Sequence, residues 1–125
     1  VHWLGWLADP APWYGLADVL VVPSRHETLG NVILEGWSHA LPVVATRTAG
    51  ATELIEAGVN GLLTPVADTG ALAAAVRETL LAAPADRAAL GRAGAGCVAR
   101  EHGEEAVVGA YRQLYRDLHR ERVAS

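Results

Sequence analysis

Apolar positions along this chain fall in short blocks whose spacing alternates between that of a strand and that of a helix. Residues 1–4 and 18–22 are brief, mainly apolar runs, the second β-branched and closed by Pro23, and the runs at 43–46 and 61–65 are as short. Uninterrupted apolar stretches of this length are how strands buried on both faces read. Between them lie stretches with helical spacing at 12–17, 31–40, 51–57 and 70–83. The helix over 31–40 stops ahead of Pro42, whose ring disfavours helical geometry in the residue before it. In the helix over 70–83, Leu72, Val76 and Leu80 recur every fourth residue, and Asp68 stands where an N-cap is needed. Ala83-Pro84 breaks the pattern before an Ala/Gly-rich, weaker helix over 86–100. A last helix carries Val107, Tyr111, Leu114, Tyr115 and Leu118 on one face, with Arg112, Arg116 and Asp117 outside it. Repeated βα units predict a parallel sheet with helices on both faces. They make one α/β unit over residues 1–125, with a βα core at 1–83 and C-terminal helices at 84–125.

Two acids interrupt this pattern. Glu27 lies in the loop that follows the second strand, and Glu35 lies eight positions on, inside an otherwise apolar helical run. The turn between strand and helix falls at the carboxyl end of a parallel strand, where ligands collect in the crevice beyond the sheet. The helix start after Gly30 offers unpaired N–H groups and the positive end of the dipole, an anion site worth roughly 0.3–2 kcal/mol to a phosphate. Gly30 lets a phosphate approach the backbone closely. Glu35 lies about 7–8 Å further along the helix, on a polar stripe with Asn31, Ser38 and His39, while Val32, Ile33, Gly36, Trp37 and Ala40 supply apolar surface. That offset suits a ribose attached to a phosphate at the helix start, because an ionised carboxylate only accepts and a sugar diol offers paired donors. Glu27 then faces whatever is attached to the far side of the phosphate.

The stretch 23–37 resembles the Glu-x7-Glu motif of retaining glycosyltransferases of the GT-B fold, the family 4 type within glycosyl transferases group 1. The resemblance extends in order along about 115 residues. It takes in Val1-His-Trp-Leu-Gly5, Ala17-Asp18, Pro23-Ser24, Leu41-Pro-Val-Val-Ala-Thr46, Gly50-x-x-Glu53, Gly58-x-Asn60-Gly-Leu-Leu63 and the terminal helix from Tyr111 to Leu118. It implies a Rossmann-like domain, the C-terminal donor-binding half of GT-B, incomplete at its N-terminus. It also implies a nucleotide-sugar donor, an acceptor hydroxyl, and transfer with retention by the full-length protein; the isolated chain is expected to be inactive. By the same resemblance Glu27 is catalytic beside the donor sugar, the backbone of Leu29, Gly30, Asn31 and Val32 holds the diphosphate, Glu35 holds the ribose, and Gly5 to Leu7 lies near the base. No cofactor and no metal ion are expected.

Departures from the family pattern are as specific as the matches. The family's donor site uses an arginine and a lysine upstream of the position of Val1, and its acceptor side comes from an N-terminal domain; neither is in this sequence. Thr28 stands where glycine is frequent and Asn31 where an aliphatic residue is frequent. The reading is therefore of a fragment, with an exposed sheet edge that favours self-association and a terminal aromatic face left uncovered. From the residues, two alternatives stay open: a nucleotide-binding module without catalysis, and a degenerate structural fragment.

Composition removes other classes. A formal net charge of −4 without a basic cluster argues against nucleic acid as a partner. No apolar stretch approaches the ~20 residues of a membrane helix, and the single Cys97 fits a reducing compartment. The expected location is cytoplasmic, peripheral to a membrane only through the missing domain. His2, His26, His39, His102 and His119 have no ligand spacing with one another or with the cysteine. His26 reads as a surface or pocket-wall residue and Glu53 as an acid favoured by a helix start. The glycines of 91–96 read as flexible helix, and Asn60-Gly61 as a turn.

Overall fold

The computed structural model describes residues 1–124, with side chains through residue 122, so the final residue of the expected 1–125 unit lies outside it. Three strands, β1 (Leu20–Val22), β2 (Val43–Thr46) and β3 (Leu62–Thr64), form one parallel sheet in the order β1-β2-β3. Leu20 pairs with Val43, and Val44 in turn with Leu62. Helices α1 (Ala11–Tyr14), α2 (Asn31–Ser38), α3 (Ala49–Leu54), α4 (Thr69–Leu81), α5 (Pro84–Cys97) and α6 (Glu104–Ala124) surround and extend it. This is the expected Rossmann-like α/β arrangement. All four residues of β2 are buried, as a central strand covered on both faces requires.

The core is built on Ile33, Trp37, Val43, Val44 and Ala45, each fully enclosed. Trp37 meets its one polar obligation by donating from Nε1 to the Asn60 carbonyl at 3.0 Å. Asn60 is buried and also caps the end of α3: its Oδ1 accepts from the Glu56 N–H at 2.9 Å and its Nδ2 donates to the Leu54 carbonyl at 3.2 Å. The Asn60-Gly61 turn is structural, and it explains why the helix expected over 51–57 ends at Leu54. That helix also starts earlier, at Ala49, so Glu53 lies in its last turn, where the dipole does not favour an acid. Asp68 caps α4 as expected, accepting from the Ala71 N–H at 2.8 Å.

Three further expectations change. Residues 1–4 are not a strand: no ladder reaches them among the described residues, and Val1, Trp3 and Leu4 are exposed. An apolar run becomes a strand only where a neighbour takes its backbone hydrogen bonds. The glycines of 91–96 do lie in a helix, but two of them serve close packing rather than flexibility. A Cβ on Gly94 would fall 2.2 Å from Trp37 Cδ1, and one on Gly91 would fall 1.9 Å from the Ala40 carbonyl oxygen. Finally, α5 passes into a π turn, Val98–His102. This brings Cys97, Glu101 and His102 together, their ligand atoms all within 4.8 Å of one another. The separation of five residues lacks ligand spacing on an α-helix, but a hydrogen-bond pattern wider by one residue restores it.

Among the described residues β1 is an edge of the sheet, and the apolar stripe of α6 forms as expected but is exposed at Tyr111, Leu114, Tyr115 and Leu118. No described helix is long and apolar enough to cross a membrane.

Candidate functional site

The loop from β1 to α2 is held in place from below. The Thr46 hydroxyl, at the end of β2, donates to the Ser24 carbonyl. The Gly50 N–H, at the start of α3, donates to the Glu27 carbonyl at 3.0 Å. Gly50 packs so tightly that a Cβ there would lie 2.8 Å from the Thr28 carbonyl oxygen and 2.9 Å from the Gly30 nitrogen. Gly50, expected only as part of the Gly50-x-x-Glu53 turn, is thus the floor of this loop.

Gly30 turns the chain into α2 with φ +73°, the left-handed region that glycine occupies at little cost. It is buried, and its carbonyl accepts from the N–H groups of both Ile33 (2.9 Å) and Leu34 (3.3 Å). No side chain caps α2. The Asn31 and Val32 N–H groups form no hydrogen bond among the described residues, while Leu29, Asn31 and Val32 are exposed. The start of α2 is thus an accessible backbone surface with the positive end of the dipole behind it.

The two glutamates flank that surface. Glu27 is half-buried and folds back so that its Oε1 accepts from the Gly30 N–H at 3.2 Å, and its second oxygen has no hydrogen-bond partner among the described residues. Glu35 is exposed on α2, on the polar stripe with Asn31, Ser38 and His39, while Ile33, Gly36 and Trp37 face the core. Val32 and Ala40, expected to add apolar surface, are exposed instead.

Glu35 is engaged by a residue that sequence reasoning missed. The Tyr14 hydroxyl donates to Glu35 Oε2 at 2.9 Å, and the Tyr14 ring lies against His39, with centroids 5.3 Å apart. Burial, then the hydrogen bond and charge of Glu35, raise the Tyr14 phenol above its ordinary value of 10.0, so it stays a donor through neutral pH. A partner 21 residues away left no trace in local spacing. Arg25 has no such contact with Glu35 among the described residues. With Pro23, Thr46 and Asp68 it lines a cavity of about 130 Å³ at the carboxyl ends of β1 and β2. Gly5 and Leu7 precede α1 in irregular backbone, Gly5 with φ +67°. No hydrogen bond joins them to the loop or to α2 among the described residues.

This strand, glycine turn and uncapped helix lie within a larger match: the profile of glycosyl transferases group 1 covers residues 1–82, more than half of the chain. The chain belongs to this family. Among its relatives is the lipopolysaccharide core biosynthesis glycosyltransferase LpsE of Rhizobium meliloti (strain 1021), 38% identical over 114 residues. That match takes in 91% of this chain and 33% of the relative. In solved structures, this glycosyl transferases group 1 chain superimposes on sucrose-phosphate synthase from Thermosynechococcus elongatus. The TM-score is 0.81 at 36% identity, over 93% of this chain and 28% of the other. It also superimposes on Anabaena Alr3699/HepE in complex with UDP-glucose, with TM-score 0.77 at 29% identity, over 92% of this chain and 31% of the other. The chain spans about a third of the length of the two lipopolysaccharide core glycosyltransferases of Rhizobium meliloti that it matches.

Proposed function

We propose that this chain is the donor-binding part of a retaining glycosyltransferase of the family 4, GT-B type, and that the whole protein transfers a glycosyl group from a nucleotide sugar to an acceptor hydroxyl. The observation that carries this reading is the uncapped start of α2, entered through a left-handed Gly30 and flanked by one carboxylate on each side. Membership of glycosyl transferases group 1, and likeness to a protein solved with UDP-glucose, support it.

In this reading the free N–H groups of Asn31 and Val32, with the Leu29 backbone, receive the diphosphate, whose charge the helix dipole stabilises; Gly30 supplies the left-handed turn that presents them, its own N–H being held by Glu27. Glu35 accepts from the ribose hydroxyls. It can keep its bond to Tyr14 while doing so, since a carboxylate has about four acceptor positions. Glu27 uses the oxygen not tied to Gly30 to orient the donor sugar and stabilise positive charge developing at its anomeric carbon. The Gly30 N–H fixes that carboxylate in advance, so little reorganisation is needed as charge develops. Gly5 and Leu7 approach the base. The helix dipole, rather than a metal ion, carries part of the diphosphate's charge, and acceptor contacts come from outside this chain.

Calorimetric titration with UDP, GDP and their sugars tests the proposal. A nucleotide binds, and Glu35→Ala weakens it by about 10- to 100-fold, the loss of charge-assisted hydrogen bonds worth ~1.5–3 kcal/mol. No heat with any nucleotide at millimolar concentration, or equal binding by Glu35→Ala, overturns it.

A further inference from the structure

A second group of chemically capable side chains lies at the junction of α5 and α6, and the glycosyltransferase reading makes no use of it. Cys97 ends α5, Glu101 and His102 belong to the π turn, and their Sγ, carboxylate oxygen and imidazole nitrogen all lie within 4.8 Å of one another. On an α-helix a residue five positions on points roughly 140° away around the axis. The wider π turn narrows that offset, and such turns are rare features concentrated at functional sites. An independent observation concerns the adjacent space. Cys97 and Glu101 line a cavity of about 510 Å³ whose wall also carries Glu53 and Glu56, with Arg100 as its one cationic side chain. Three carboxylates against one guanidinium make the space attractive to a cation.

We propose that Cys97, Glu101 and His102 bind a divalent metal ion of the zinc type. One thiolate, one imidazole and one carboxylate are a borderline-soft set that selects zinc-like ions over magnesium or calcium, whose ligands are oxygens. Three protein ligands leave a fourth tetrahedral position for water from the cavity. As the sulfur–metal bond forms, the Cys97 thiol releases its proton to solvent. Arg100, paired with Glu101 at 3.8 Å and largely exposed, yields readily, since exposed ion pairs contribute little. The bound ion fixes the π turn and with it the direction in which α6 departs. This proposal does not depend on the donor-site reading.

Cobalt titration of the untagged chain tests it, because a thiolate ligand gives a sulfur-to-cobalt charge-transfer absorption and a tetrahedral site gives intense visible bands. One ion binds per chain, zinc displaces it, and the charge-transfer band is absent in Cys97→Ser. His102→Ala and Glu101→Gln, both exposed positions, lower the affinity at least about 10-fold, whereas His119→Ala leaves it unchanged. Should Cys97→Ser not fold by circular dichroism, the two exposed variants decide. Binding without a thiolate band, binding by His102→Ala as tight as in the unaltered chain, or no binding at all overturns the proposal.

Discussion

At Gly50 an added methyl group meets backbone rather than a movable side chain, so the loop above must give way. Gly50→Ala therefore destabilises the fold by about 1–3 kcal/mol in chemical denaturation, the usual range for overpacking. It also weakens nucleotide binding, because the displaced atoms belong to Thr28, Leu29 and Gly30. Intact affinity in this variant would separate the loop from the donor site. Tyr14 gives a pH prediction. Its phenol is raised above 10.0, so its contribution to stability is complete below the unfolded value and is lost as pH rises through the folded one. Unfolding followed between pH 8 and pH 12 therefore shows a decline on the alkaline side that Tyr14→Phe diminishes. At neutral pH the same variant mobilises the Glu35 side chain. The placement of Glu27 and Glu35 on either side of the glycine turn was legible from their spacing and helical offset, whereas the contacts of Gly50 and Tyr14 were not, since each acts across a tertiary contact.

Among the elements, α2 is the one on which the site depends, and it is held by glycine packing and one buried asparagine. α5 approaches α2 closely enough that Gly94 has no room for a side chain against Trp37, and Trp37 in turn is tied to the Asn60 carbonyl. Gly94→Ala pushes the helices apart and costs about 1–3 kcal/mol, read as a lowered midpoint in urea without a change of slope. The positions of α2, α4, β1, β2 and β3 followed from apolar periodicity because each buries a face that its own sequence repeats. The boundaries of α3 did not, because its end is fixed by Asn60, six residues beyond Leu54. The strand expected at 1–4 failed for the complementary reason: its apolar character is real, but a strand is a relation between two segments.

For the whole molecule, the core lies within the three strands and the helices through α5, and α6 touches the rest chiefly through the π turn. Its exposed apolar stripe contributes little to the described core. A chain ending at Gly103 thus keeps a cooperative thermal transition by circular dichroism, with a midpoint within a few degrees of the full chain. Loss of the transition would show that α6 belongs to the folding unit.

What the sequence determined by itself was the order of βα units, the resemblance to glycosyl transferases group 1 and the two glutamates beside a glycine turn. These are properties of neighbours along the chain, set by local periodicity and by the backbone freedom of Gly30. The tertiary structure alone decided that Gly50 floors the loop, that Tyr14 grips Glu35, and that a π turn gathers Cys97, Glu101 and His102. Each depends on close packing, or on a helix departing from its regular period, and neither is written in the spacing of residues.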